Sequence, residues 1–232
     1  YGFIWLGTEN GLTRYEGNNS HRYYNIPDNP GSLGNNCVHA LMEDGDDIWV
    51  GTNTGIFIYR RAADSFEFFG AETRYDVTIN CEVRSIFKAP DGRIWIATLG
   101  QGIFIYDPSN GVLHQNINQT SLALDICEYE NFIYVSCIRN DLLKFDCSGE
   151  FAGHINANHP KDITPTVLHA FKGKIWMGAG NMLQCFEPGT GSIQEIPMPY
   201  DILCISDFRD ESILIGPRKG LLLYNTTSGA PG

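Results

Sequence analysis

The 232-residue chain is 43% hydrophobic and 12% aromatic, with charged residues at 19%, the make-up of an ordered globular protein and not of a solvated tail. Its net charge of -11 repels phosphate backbones, and its sixteen Lys and Arg residues form no run longer than Arg60-Arg61 or Arg218-Lys219, which excludes nucleic acid as an expected partner. The longest apolar stretches, such as "GIFIY", are of strand length, far short of the roughly 18 to 20 residues of a membrane-spanning helix.

Read in chain order, one unit recurs. It first shows as "FIWLGTENGLTRYEG" (3 to 17), then as "DIWVGTNTGIFIYRR" (47 to 61), "RIWIATLGQGIFIYD" (93 to 107), "FIYVSCIRNDLLKFD" (132 to 146), "KIWMGAGNMLQCFEP" (174 to 188) and "SILIGPRKGLLLYNT" (212 to 226). The anchors Trp5, Trp49, Trp95, Tyr134, Trp176 and Leu214 are 44, 46, 39, 42 and 38 residues apart, the period of four-stranded propeller blades. From the second unit on, an alternating run precedes the anchor strand: "VHALMED" (38 to 44), "VRSIFKA" (83 to 89), "LALDICEY" (122 to 129), "TVLHAFK" (166 to 172) and "ILCISDF" (202 to 208). A more polar fourth strand closes the unit, as in "SFEFFG" (65 to 70) and "GSIQEI" (191 to 196).

The fold class is therefore all-β, a β-propeller of four-stranded antiparallel blades in a single domain over 1–232, with polarity rising from an inner strand to a wet outer one. The indoles supply flat apolar area between blades, and Gly11, Gly55, Gly102 and Gly220 serve hairpin turns that need positive φ. Five units carry the inner-strand run and the first lacks it, so the expectation is about five and a half blades of a ring that starts before residue 1 and continues beyond residue 232. An incomplete arc exposes blade faces and strand edges that invite pairing with another copy.

The pattern at 38 to 59 and 83 to 106, with its W-x-G/A-T and G-I-F-I-Y elements, resembles the two-component regulator propeller repeat, and "GLTRYEG" followed by an Asn/Pro/Ser/Gly loop is similar to the first repeat of such sensors. The resemblance implies a seven-bladed periplasmic sensor module of a hybrid histidine kinase. Such a module responds to a ligand, in many members a carbohydrate, and signals across the inner membrane to control transcription. It also implies a homodimeric receptor whose remaining propeller and signalling domains lie elsewhere in the same protein; no kinase or response-regulator motif lies in this chain.

No convergent catalytic set stands out. His39 and His169 fall on inner strands, where a propeller lyase would carry its acid-base groups, yet no carboxylate recurs at a fixed offset from both. His21, His114, His154 and His159 have no ligand spacing, and the seven cysteines have no CxxC pair, so no metal or other cofactor is expected. "GPRKG" (216 to 220) reads as a hairpin turn and not as a phosphate loop.

Binding remains, and it belongs on loops that rigid sheets hold in place. The candidate ligand-binding residues stand where the repeat fails to repeat: Arg74, Tyr75, Asp76 and Asn80 in the loop 70 to 82, Gln101 in "LGQG", Arg139 and Asn140 in "CIRND", and Arg218 and Lys219 in "GPRKG". An aromatic platform with planar amides and carboxylates suits a saccharide or another small ligand. The alternatives are a protein-protein scaffold of the WD-repeat type and, more remotely, a propeller lyase using His169.

Overall fold

The computed structural model describes residues 2–70, 77–116, 121–138, 141–155 and 164–231, and the alternating runs become strands with almost unchanged bounds. Blade 1 is β1 (Ile4–Thr8), β2 (Gly11–Glu16) and β3 (Asn19–Tyr23). Blade 2 is β4 (Val38–Asp44), β5 (Asp47–Thr52), β6 (Gly55–Arg60) and β7 (Ser65–Phe68). Blade 3 follows as β8 (Glu82–Lys88), β9 (Ile94–Leu99), β10 (Gly102–Asp107) and β11 (Val112–Asn116). Blade 4 is β12 (Ala123–Tyr129), β13 (Phe132–Cys137), β14 (Asp141–Asp146) and β15 (Phe151–Ile155). Blade 5 is β16 (Val167–Phe171), β17 (Lys174–Ala179), β18 (Met182–Glu187) and β19 (Ser192–Pro197), and blade 6 is β20 (Ile202–Asp207), β21 (Ser212–Pro217), β22 (Leu222–Asn225) and β23 (Ala230–Pro231).

Every sheet is an antiparallel meander of consecutive strands. The expected five and a half blades give way to six sheets: the first repeat builds a three-stranded sheet of its own, and β23 supplies a short outer strand against Tyr224 and Asn225. The chain clusters into two compact units, Tyr1–Ala123 with blades 1 to 3 and Leu124–Gly232 with blades 4 to 6.

The repeat motif can be read atom by atom in the first unit. The anchor Trp49 is 4% exposed and packs with Ile56 and Ile58 against Val83, Ile86, Ile94 and Ile96 of the next blade. The opposite face of blade 2, with Ile48, Val50 and Tyr59, packs against Leu12, Tyr23 and Trp5 of blade 1. Within each unit a blade thus turns its anchor face toward its successor and its Ile/Val face toward its predecessor, and each side chain sealed between them contributes about 1.5 to 3 kcal/mol. Unit 2 follows the same order: Trp176, Leu183 and Cys185 of blade 5 meet Ile205, Ile213, Ile215 and Tyr224 of blade 6.

Two residues after the anchor, a glycine leaves room for the next blade. A Cβ on Gly51 would stand 2.8 Å from Val83 Cγ1, one on Gly7 2.6 Å from Val38 Cγ1, and one on Gly178 2.7 Å from Ile202 Cγ2. The threonine that follows clamps the hairpin: Thr8, Thr52 and Thr98 each donate their hydroxyl to the carbonyl of the turn glycine, at 2.9, 2.9 and 2.7 Å from Gly11, Gly55 and Gly102. Those glycines hold φ of 99°, 123° and 83°, as turn geometry requires.

Candidate functional site

The first strand of blades 2, 3 and 6 carries a β-bulge at the same place. Val38 pairs with Thr52 and Ala40 with Gly51, which leaves His39 as the extra residue; Arg84 and Leu203 occupy the same position in β8 and β20. A bulge re-aims the side chain of the inserted residue, and it does so here beside the turns joining the second and third strands.

In unit 1 this device assembles a polar cluster from two neighbouring blades. His39 Nε2 lies 2.6 Å from Asn53 Oδ1, 3.6 Å from Cys37 Sγ and 3.7 Å from Glu82 Oε1. Arg84 Nη1 donates to the same Glu82 oxygen at 3.0 Å. One carboxylate therefore sits between a guanidinium and an imidazole, with all three side chains part-exposed. The array presents planar donors and acceptors in fixed geometry, suited to hydroxyl pairs of a polar ligand.

Beside it, Gln101 is a brace. Its Oε1 accepts from the backbone N–H of Asn80 at 2.9 Å, its Nε2 donates to Thr78 O at 3.0 Å, and its own carbonyl accepts from Gln115 Nε2 at 2.8 Å. The carboxamide is thus committed to holding the loop between blades 2 and 3, while Asn80 itself is exposed. Arg74, Tyr75, Asp76, Arg139 and Asn140 lie outside the described residues.

In unit 2, Arg218 and Lys219 are exposed on the β21–β22 turn and meet the loop between blades 5 and 6. Arg218 donates its backbone N–H to Asp201 O at 2.8 Å, and its Nε lies 3.9 Å from Asp201 Oδ2. Lys219 Nζ lies 5.7 Å from the ring centre of Tyr200, which is 44% exposed. An aromatic face is thus exposed at Tyr200, close to Lys219 and next to Asp201, which Arg218 meets. Tyr200 and Asp201 are not among the sequence candidates because "IPMPYDILC" is short and has no polar run; the signal there is an aromatic two residues before a first strand.

The two first-strand histidines differ. His169 Nε2 is buried without a hydrogen-bond partner, 3.6 Å from Asp207 Oδ1, and burial lowers the pKa of the ring while the Asp207 charge works against that shift. Among the described residues no group of three or more His, Cys, Asp or Glu side chains could hold a metal ion.

A family model described as "Two component regulator propeller" matches residues 32–54 and 79–100. In those two stretches the chain matches the two-component regulator propeller repeat. The matched stretches contain His39, Asn53, Glu82 and Arg84. No curated protein matches the chain. Among solved structures, the chain is similar to the extracellular domain of a protein assigned to a hybrid two component system of B. thetaiotaomicron, with 21% identity, a TM-score of 0.81, and 100% of this chain and 31% of that one covered. A second such domain from the same organism gives 19% identity and a TM-score of 0.82, covering 98% of this chain and 32% of that one. PorZ, a surface component of the type-IX secretion system of Porphyromonas gingivalis, gives 15% identity and a TM-score of 0.68, covering 99% and 39%. At these identities the likeness establishes the β-propeller fold, and this chain spans about a third of the length of the two-component domains.

Proposed function

We propose that this chain is the ligand-sensing part of an extracytoplasmic two-component sensor, a periplasmic ectodomain of an inner-membrane protein that signals to a histidine kinase and so to transcription. The observation that carries the reading is the match of the two-component regulator propeller repeat to the two stretches that build the His39–Glu82–Arg84 cluster. A carbohydrate is the ligand class that best suits the exposed groups: planar hydrogen-bonding side chains at Asn53, Glu82 and Arg84, and an aromatic face at Tyr200 with Asp201, Arg218 and Lys219 around it. The reading makes the chain a binding module within a homodimeric receptor and assigns it no catalysis.

The test is a shift in melting temperature across a panel of oligosaccharides, followed by calorimetric titration of any that raise it. Arg84→Ala and Tyr200→Ala variants are titrated separately, since each reports on one unit. A ligand lost with one variant and kept with the other identifies the unit that binds. A panel that leaves the melting temperature unchanged, together with specific capture of a protein partner, would replace the carbohydrate reading with a scaffold.

A further inference from the structure

We draw no further inference here: the strongest candidate, the crevice of about 230 Å³ between blades 2 and 3 lined by Trp49, Phe69, Tyr106 and Arg60, has its cation already held by Asp47 and Glu67, and nothing in the structure shows what covers it.

Discussion

Blade 1 and blade 2 place nearly the same residues on their anchor strands β1 and β5, "IWLGT" and "IWVGT", yet Ile4 and Leu6 are largely exposed while Ile48 and Val50 are sealed. Both strands form, with the same register to the strand that follows. Local sequence therefore decides that the strand exists and which side chains share a face; only the neighbouring blade decides whether burying them stabilises anything. The same residue is stability-critical in one copy of the repeat and nearly silent in another.

The sharpest way to break this comparison is at the anchor. Trp49→Ala removes an indole with 4% exposure from the junction between blades 2 and 3 and should cost about 3 to 5 kcal/mol in chemical denaturation. Leu214→Ala, at the equivalent half-buried position on the bare face of blade 6, should cost about 1 kcal/mol or less. Equal costs at the two positions would show that the anchor acts within its own sheet and not between blades.

Next come the Ile/Val row and the glycine slot. Ile48→Ala should cost about 2 to 4 kcal/mol and Ile4→Ala less than about 0.5 kcal/mol, because only the first opens a cavity. Gly51→Val drives methyl groups into Val83 and Ala40 and should cost about 1 to 3 kcal/mol through overpacking. Gly216→Ala meets only the Cys204 sulfur, on an exposed side chain that can rotate, and should stay within about 1 kcal/mol.

These contrasts also separate what could be read from the chain from what could not. The strands were legible because period-two alternation is a local property: "VHALMED" becomes β4 with the same bounds. The tryptophans and turn glycines were legible for the same reason. The bulge that re-aims His39 was not, since "VHA" and "VRS" read as plain alternation and the extra residue appears only when the partner strand is counted. The partners of Gln101 were not legible either, since Thr78 and the Asn80 amide lie more than twenty residues away. The Tyr200 patch joins a loop and a turn that no short window spans.

A smaller effect probes the junction between blades 1 and 2. Tyr59 donates to Asp64 Oδ1 at 2.6 Å and accepts from Arg14 Nη1 at 2.6 Å, while Tyr23 donates to the same Asp64 oxygen at 2.9 Å. Those hydrogen bonds, that of Tyr59 foremost, hold the Asp64 carboxyl below its usual pKa. Tyr59→Phe should cost about 1 kcal/mol at neutral pH, a value kept low because the Asp64 side chain is 58% exposed. The Asp64 contribution is present above its unfolded pKa of about 3.9 and lost as pH falls through the lower folded value, so the variant should differ less from the wild type in strong acid.

The least effect separates two histidines on first strands, His39 at the bulge of β4 and His169 opposite the anchor Trp176. His39 has Asn53 as a partner, whereas His169 Nε2 is buried with none and its ring is held neutral by burial. A histidine whose folded pKa is depressed favours folding while neutral. Its contribution is intact above the unfolded pKa of about 6.5 and is lost as pH falls from there toward the folded value, because the unfolded chain takes up the proton first. Melting temperature measured from neutral pH downward should therefore fall, and His169→Gln, which cannot titrate, should flatten that fall whatever it does to stability at neutral pH. The window lies above the one governed by Asp64, so the two are resolved on a single pH series. A slope below about pH 6.5 that His169→Gln leaves unchanged would mean that the Asp207 charge, 3.6 Å away, cancels the burial of the ring.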